Sequence, residues 1–297
     1  MEFFIFVSVL LLFKYILAKM ILITGSTGFI GGNLVRELSK LYKLRCIVRK
    51  KNIEPINNVE LFYADVLNKK SLEKAFEGVR TVIHLAAITS GSSGKILKTN
   101  IEGTKNLVEL SREKNIEKFI LVSTDNVNLG EKGPYAASKL KSEAILLDSK
   151  ISYVIIRPNW VYDSKGNKDL KTLISLVKKL PVVPIIGNGN YRLQPVHVKD
   201  VVSVIIKSLS SKNKIYSIGG SEVVSFNELI DEIAKSLNLK RKKIHIPIHI
   251  AKLILPLVGI PRHKIKEMTQ DKLSNNENVM KDFKIKPVSI KESLSKF

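Results

Sequence analysis

Residues Met20 to Gly31 read Met-Ile-Leu-Ile-Thr-Gly-Ser-Thr-Gly-Phe-Ile-Gly. The apolar run at its start predicts a buried strand, and the residues from Phe29 onward predict a helix. Gly25 permits a tight turn between them, Gly28 lets a pyrophosphate approach the backbone, and Gly31 lets the helix pack on the strand. The start of a helix also attracts anions. This stretch therefore predicts a strand–turn–helix unit that binds the phosphates of a dinucleotide.

Downstream, short β-rich runs alternate with amphipathic stretches. The predicted strands are Met20 to Thr24, Leu44 to Val48, Val59 to Ala64, Thr81 to Leu85, Phe119 to Ser123 and Tyr153 to Arg157. The predicted helices are Ile30 to Lys40, Lys69 to Phe76, Lys95 to Lys114 and Pro134 to Leu147. Such alternation is typical of an α/β fold with a Rossmann-type doubly wound parallel sheet, whose ligands bind beyond the carboxyl ends of the strands. We expect one crevice to collect the residues at those ends, which are Gly25, Arg49, Asp65, Ala86 and Thr124.

The alternation weakens after Pro158, where Gly, Asn and Pro residues interrupt it. Val198 to Leu209 predicts a further helix, and Ile215 to Ile218 a further strand. We therefore expect residues 20–160, rejoined by 195–220, to form an NAD(P)-binding Rossmann domain. Residues 161–194 and 221–297 would form a smaller, mainly helical C-terminal substrate lobe, and residues 1–19 a hydrophobic N-terminal extension.

The N-terminal extension is apolar from Phe3 to Phe13 apart from Ser8, and Lys14 then interrupts it. It is short for a membrane span and lacks the basic start and cleavage site of a signal peptide. Either Met20 is the functional start, or the extension is a short helix docked on the fold; a membrane anchor is the alternative. We expect a cytoplasmic protein, which would be membrane-associated if the extension is an anchor.

The chain is strongly basic, with 49 Lys and Arg against 27 Asp and Glu and a formal charge of +22. Such charge can indicate a nucleic-acid partner. The lysines are scattered, however, and no basic stripe interleaved with aromatic residues is present, so we favour a solvated surface and expect no nucleic acid. The single cysteine excludes an intrachain disulfide. Pro247 interrupts the pair His245 and His249, so we expect no metal.

A second motif consists of Tyr135 and Lys139, spaced four apart. On a helix these two side chains share a face. A phenol with an ordinary pKa of about 10 is a poor base at neutral pH, and a neighbouring ammonium favours the phenolate. Downstream of a phosphate-binding turn, this spacing predicts a proton-transfer pair beside a cofactor.

The chain resembles the short-chain dehydrogenase/reductase superfamily in its extended branch, the NAD(P)-dependent epimerase/dehydratase enzymes. The resemblance runs from Met20 almost to the C-terminus. Besides the glycine turn and the Tyr-Lys pair, it rests on five segments. These are Val82-Ile-His-Leu-Ala-Ala87, Asn100-Ile-Glu-Gly-Thr-Lys-Asn-Leu107, Ser123-Thr-Asp125, Arg157-Pro-Asn-Trp-Val-Tyr162 and Gln194-Pro-Val-His-Val-Lys-Asp200.

The resemblance implies a catalytic set of Thr124, Tyr135 and Lys139. Thr124 would hydrogen-bond the reacting substrate oxygen, Tyr135 would exchange its proton, and Lys139 would hold the nicotinamide ribose. The candidate cofactor-binding residues are Gly25, Thr27, Gly28, Phe29, Ile30, Gly31, Arg49, Asp65, Val66, Leu85, Ala86, Ala87, Asn100, Lys139 and Pro158. The candidate substrate-binding residues are Asp125, Asn126, Asn159 and Arg192. Arg157 is either a second anion-binding guanidinium or an ion-pair partner of Asp200.

Two departures from the family pattern matter. NAD-selective folds usually carry an acid at the end of the second strand, whereas this chain has Val48-Arg49-Lys50-Lys51, which favours NADP(H) over NAD(H). Thr124-Asp125 is similar to the sugar-nucleotide dehydratases, but Asn126 replaces their second acid. Epimerisation, dehydration and reduction therefore stay open.

The expected function is an NADP(H)-dependent epimerase/dehydratase/reductase-type enzyme acting on a nucleotide sugar or a similar hydroxyl or carbonyl substrate. The alternative is a non-catalytic NADPH-binding subunit, because the segment from Arg192 to Asp200 also resembles the complex I accessory subunit of this fold. A homodimer and a membrane contact through residues 1–19 are left open.

Overall fold

The computed structural model describes residues 20–49, 54–163 and 168–295. The N-terminal extension, Lys50 and Lys51 lie outside these ranges. The strands are β1 Met20–Thr24, β2 Leu44–Val48, β3 Val59–Tyr63, β4 Val79–His84, β5 Lys118–Val122, β6 Tyr153–Pro158, β7 Val161–Tyr162, β8 Val182–Ile186, β9 Arg192–Leu193, β10 Val196–His197, β11 Lys214–Ile218, β12 Val224–Ser225 and β13 Lys242–Ile246.

The helices that connect these strands follow the predicted alternation. They are α1 Phe29–Leu38, α2 Lys69–Leu72, α3 Ser93–Glu113, α4 Pro134–Leu147, α5 Lys168–Lys179, α6 Val198–Lys207, α7 Phe226–Ser236, α8 Ile248–Ile254, α9 Arg262–Met268, α10 Glu277–Phe283 and α11 Ile290–Leu294. Short 3₁₀ turns span Glu73–Phe76, Asp125–Asn128, Ser208–Ser210 and Leu255–Val258.

Seven strands form one sheet in the order β11-β6-β5-β4-β1-β2-β3. The strand pairs from β3 to β6 are parallel. Strand order runs outward in both directions from the adjacent pair β1 and β4, which is the switch point where doubly wound sheets bind ligands. The Rossmann-type fold predicted from the glycine turn is therefore confirmed, and β11 is the additional strand expected near Ile215.

The chain divides into two compact units. Among the described residues, the first comprises 20–123 without 50–53, then 138–156 and 205–215. Its core joins the sheet to the flanking helices through fully buried side chains such as Leu22, Val82, Leu107 and Phe119. Burial of such aliphatic and aromatic side chains is the main source of stability.

The second unit comprises residues 124–137, 157–204 without 164–167, and 216–295. Its core includes Tyr162, Ile185, Leu229 and Ile233. A capping box, in which Ser225 and Glu228 exchange side-chain and backbone hydrogen bonds, fixes the start of α7. The division of the chain expected from the sequence, with a boundary near residue 160, stays a prediction.

One feature of the second unit differs from expectation. The sequence after Ser225 predicts mainly helices, yet β13 pairs in parallel with β8 over five residue positions. The β8 segment contains Pro184, which weakens a local strand pattern because it donates no backbone hydrogen bond. Pairing with a segment about sixty residues away therefore decides this strand.

Among the described helices, none has the length and hydropathy required to cross a membrane.

Candidate functional site

The glycine turn joins β1 to α1 in the first unit. Gly25 adopts a positive φ of 73°, and a Cβ there would lie 2.6 Å from the backbone nitrogen of Ala86. A Cβ on Gly31 would lie 2.1 Å from the carbonyl oxygen of Gly25. These two positions need glycine because backbone from β4 and from the turn itself occupies the space.

The start of α1 fits a phosphate group. Gly28 is the N-cap residue, with extended backbone, and it places no side chain over the first amides of the helix. Those amides have no partner within the helix, and the helix dipole favours an anion there. The residues present therefore fit the diphosphate of a dinucleotide cofactor.

Three more groups of predicted cofactor residues follow strands β2, β3 and β4, which lie on the two sides of β1 in the sheet. Arg49 is exposed directly after β2. The carboxylate of Asp65 accepts a hydrogen bond from the backbone of Leu67 at 2.9 Å, which shapes the turn after β3. Leu85, Ala86 and Ala87 follow β4. Because β4, β1, β2 and β3 lie side by side and pair in parallel, their carboxyl ends share one edge of the sheet.

A network of buried polar side chains links β1, β4, α3 and α4. Thr24 Oγ1 lies 2.6 Å from His84 Nδ1, and His84 Nε2 lies 3.1 Å from Thr104 Oγ1. Thr104 donates to Ser142 Oγ at 2.9 Å. Burial, with a smaller contribution from the positive charge of Lys139, holds the pKa of His84 well below its usual value. His84 is thus a neutral core histidine that links β1 and β4 to α3.

Asn100 connects the loop after β4 to α4. Its side-chain nitrogen donates to Ser138 Oγ at 2.8 Å and to the carbonyl of Ile88 at 3.0 Å. Its side-chain oxygen accepts from the amide of Ile88 at 2.8 Å. Asn100 is 2% exposed, so its amide is engaged within the protein. It therefore positions the residue next to Lys139.

Lys139, the cation of the predicted catalytic set, is almost completely buried. Its residue is 1% exposed, and burial lowers its pKa to about 8 against an opposing effect of the Glu143 carboxylate. An ammonium with this pKa exchanges its proton near neutral pH. Such a shifted pKa is typical of functional sites.

Tyr135 lies one turn before Lys139 on α4, at the start of the helix. Burial and, to a smaller extent, the negative charge of Glu267 together raise the pKa of Tyr135 to about 12. The sequence predicts the opposite shift, because it considers the Lys139 ammonium alone. In the free protein Tyr135 therefore keeps its proton at neutral pH.

Glu267, on α9, is a residue that the sequence analysis missed. It is 7% exposed, and its Oε1 accepts a hydrogen bond from Asn126 Nδ2 at 3.1 Å. A Cβ on Gly133 would lie 2.8 Å from Glu267 Oε2. The carboxylate therefore lies against the segment that leads into α4. No local sequence pattern marks Glu267 as a residue of this site.

Thr124 and Asp125 form the turn after β5. Thr124 Oγ1 accepts from the Asn126 amide at 3.3 Å. The buried Asp125 carboxylate accepts from Ser217 at 2.8 Å, from Ser274 at 2.5 Å and from Asn128 at 2.7 Å. These contacts hold the turn together, and the assignment of Asp125 to substrate stays a prediction.

The segment Asp271-Lys-Leu-Ser274 contacts two further predicted substrate residues. Asn159 Nδ2 donates to the Lys272 carbonyl at 3.0 Å and to Ser274 Oγ at 2.9 Å. Arg192 donates to one Asp271 oxygen from Nε at 2.9 Å and from Nη2 at 2.7 Å. The structure thus connects Asp125, Asn159 and Arg192 through one C-terminal segment.

Two remaining residues lie in the same unit. Pro158 ends β6, and Arg157 before it donates to Asn128 Oδ1 at 3.4 Å. Asp200, the alternative partner of Arg157, accepts a hydrogen bond from the Val288 amide at 2.8 Å.

Known proteins resemble this chain over most of its length. The model of the NAD dependent epimerase/dehydratase family matches residues 21–219. The UDP-glucose 4-epimerase of Vibrio cholerae is 28% identical, over 81% of this chain and 83% of its own. The mouse decarboxylating sterol-4-alpha-carboxylate 3-dehydrogenase is 27% identical, over 82% of this chain and 75% of its own.

A solved structure shares the fold. It is the UDP-glucuronic acid 4-epimerase from Bacillus cereus in complex with UDP-glucuronic acid and NAD, with a TM-score of 0.75 and 21% identity over 93% of this chain and 96% of its own. The family match spans the glycine turn, the Tyr-Lys helix and the additional strand β11. The chain therefore belongs to the NAD dependent epimerase/dehydratase family, the extended branch of the short-chain dehydrogenase/reductase enzymes.

Proposed function

We propose that this chain is an NADP(H)-dependent enzyme that acts through Thr124, Tyr135 and Lys139 on a nucleotide sugar or a similar hydroxyl or carbonyl substrate. The observation that carries the proposal is the buried Lys139, whose pKa is lowered to about 8 one helical turn after Tyr135. A helix that only packs against a sheet has no need for a wholly buried lysine, because desolvating a charge is costly.

The protein's own residues divide the work. The nicotinamide cofactor supplies the hydride acceptor or donor when it is bound. Tyr135 keeps its proton in the free protein, so it is poised to donate to a substrate carbonyl oxygen in the reducing direction. Lys139 supports the reverse direction, since its charge favours the phenolate and its ammonium hydrogen-bonds the ribose. Thr124 hydrogen-bonds the same substrate oxygen and orients it.

Arg49 supports the choice of NADP(H). It is exposed directly after β2, where a guanidinium can bind a 2′-phosphate in a bidentate manner. The Bacillus cereus neighbour was solved with NAD. Titration calorimetry with each dinucleotide decides between them: tighter binding of NADP supports the proposal, and tighter binding of NAD rejects this part of it.

The substrate class rests on the relatives. Those described above act on sugar nucleotides and on a sterol carboxylate, according to their names, and a carbon bearing oxygen is common to both. The test is incubation of the purified protein and cofactor with a panel of UDP- and dTDP-sugars and a 3-hydroxysterol acid. Conversion of one member, lost in Tyr135→Phe, supports the proposal.

A non-catalytic NADPH-binding subunit is the second candidate. The observation that favours it is that Asp125, Asn159 and Arg192 already make hydrogen bonds within the protein. Absence of turnover with every member of the panel, together with a stoichiometric cofactor that never changes its redox state, would support this candidate over the enzyme.

A further inference from the structure

A short helical segment of the second unit carries apolar side chains on its outer face. Ile250, Leu253, Ile254 and Leu257 are 38%, 69%, 51% and 84% exposed, and we call them the exposed stripe. They belong to α8 and to the 3₁₀ turn that follows it. Their spacing of three, four and seven residues places them on one face of a helix.

A different face of the segment packs against the protein. Ala251 is 2% exposed, and its amide donates to the carbonyl of Pro247. The segment thus differs from an ordinary amphipathic surface helix, because a small residue is buried and large aliphatic side chains are exposed to solvent. Single exposed leucines are ordinary, but contiguous ones mark an interaction surface.

The surroundings of the stripe are basic. Between Glu232 and Glu267 the chain has no Asp or Glu and nine Lys or Arg. Lys243 and Lys266 form ion pairs with Asp231 and Glu131. Lys252 lies within α8, and Arg262 Nε reaches its carbonyl oxygen at 3.4 Å, so a guanidinium lies beside the stripe.

The exposed aliphatic side chains and the basic residues of this stretch together favour one class of binding partner. Nucleic acid is disfavoured, because residues 233–266 contain no Phe, Tyr or Trp on which bases could stack. An aliphatic stripe with the Arg262 guanidinium at its helix, in a stretch of chain without Asp or Glu, matches the boundary between acyl chains and anionic headgroups. A membrane surface satisfies the apolar and the charged features together.

We propose that the exposed stripe inserts into the surface of an anionic membrane, with Lys252 and Arg262 at the level of the lipid phosphates. This docking is peripheral and is separate from the proposed catalytic function. Since α9, which carries Glu267, follows the stripe directly, docking brings α9 close to the bilayer surface.

The test is vesicle flotation with the full-length protein. Vesicles of phosphatidylcholine alone are compared with vesicles that also contain phosphatidylserine. The double variant Leu253→Gln/Leu257→Gln should reduce the bound fraction about tenfold, because two exposed aliphatic side chains no longer enter the bilayer. The double variant Lys252→Gln/Arg262→Gln should abolish the preference for phosphatidylserine. The matched control is Leu41→Gln/Leu147→Gln, which changes two exposed leucines of the first unit that are 54% and 41% exposed.

Several outcomes would overturn the proposal. Every variant keeps residues 1–19, so the contribution of the stripe is the difference between variant and wild type. Equal flotation of the stripe variant and wild type means that the stripe does not dock. Stronger flotation of the stripe variant means that a segment of this chain covers the stripe. Light scattering tests a further outcome. If the wild type forms a dimer that the stripe variant does not form, and the wild type does not bind vesicles, the stripe contacts a second copy of the chain and not a membrane. Circular dichroism and the Tm of each variant confirm that it is folded.

Discussion

Asn126 Nδ2 donates a hydrogen bond to Glu267 Oε1 at 3.1 Å, although 141 residues separate them in the chain. Asn126 stands where the dehydratase-like pattern has a second acid, and its amide instead binds a carboxylate supplied by α9. A buried carboxylate close to Tyr135 therefore exists in this protein without being adjacent to it in sequence.

The first prediction concerns this carboxylate. Glu267→Gln should lower the pKa of Tyr135 from about 12, because the negative charge that opposes the phenolate is removed while an oxygen that accepts from Asn126 is retained. The measurement is an absorbance titration of tyrosinate, with the titration of the same protein carrying Tyr135→Phe subtracted. Glu131→Gln is the control. Glu131 is exposed and forms an ion pair with Lys266, which lies on α9 next to Glu267. An unchanged titration in Glu267→Gln would show that burial alone sets the pKa.

The second prediction concerns Tyr135 itself. Tyr135→Phe should lower kcat by roughly 10²- to 10⁴-fold, the usual contribution of a positioned acid or base. Cofactor affinity, measured by calorimetry, should stay nearly that of wild type, because the ring is retained. Tyr153→Phe on β6 is the control. Unaffected turnover would remove Tyr135 from its assigned role.

The third prediction uses the lowered pKa of Lys139. An unfolded lysine titrates at 10.5 and the native one at about 8, so between these values the unfolded state binds more protons. The free energy of unfolding should therefore gain a contribution that rises with pH across this window, by at most roughly 3 kcal/mol. Urea unfolding of Lys139→Met should lack this rise, whereas Lys141→Met, an exposed position on the same helix, should retain it. Parallel pH profiles for wild type and Lys139→Met would contradict the shift.

The fourth prediction tests the cofactor. Arg49→Gln should weaken NADP binding by about tenfold or more, because a charge-assisted contact to the 2′-phosphate is lost. NAD binding should be unchanged, since NAD has no phosphate at that position. Arg36→Gln, in the last turn of α1, is the matched control. Equal losses for both dinucleotides would place Arg49 elsewhere in the site.

The fifth prediction compares two adjacent glycines. Gly31→Ala should abolish cofactor binding or folding, because its Cβ would lie 2.1 Å from the Gly25 carbonyl oxygen. Gly32→Ala meets its nearest neighbour at 3.7 Å and should be tolerated. It should even stabilise α1 by about 0.5–1 kcal/mol through helix propensity. Thermal unfolding with and without cofactor measures both, and a tolerated Gly31→Ala would reject the packing argument.

The sheet was predictable because its signals are local. β1 and β2 have the predicted bounds, as does α4, and each is an apolar run or an amphipathic period set off by turn residues. The pairing of β8 with β13 was not predictable. The β13 segment reads Lys-Lys-Ile-His-Ile, with only two apolar residues, and the β8 segment contains Pro184, so neither segment has a strong strand preference of its own.

The candidate site likewise contains residues that the sequence could place and residues that it could not. Gly25, Arg49 and Asp65 could be placed from the sequence, because each follows a strand end and parallel strands share one edge. Glu267 and Ser274 could not be placed, because no local pattern distinguishes an acid or a serine that contacts Asn126 or Asp125 from one in solvent.

The sequence by itself determined the fold class, the phosphate-binding turn and the order of the Tyr-Lys pair, since these depend on glycine conformation and on spacings within one element. Only the tertiary structure decided the charge environment of that pair. Burial lowers the pKa of Lys139 and raises that of Tyr135, and the charge of Glu267, far along the chain, also raises that of Tyr135. Desolvation and Coulomb interactions depend on distance in space, which the sequence does not state.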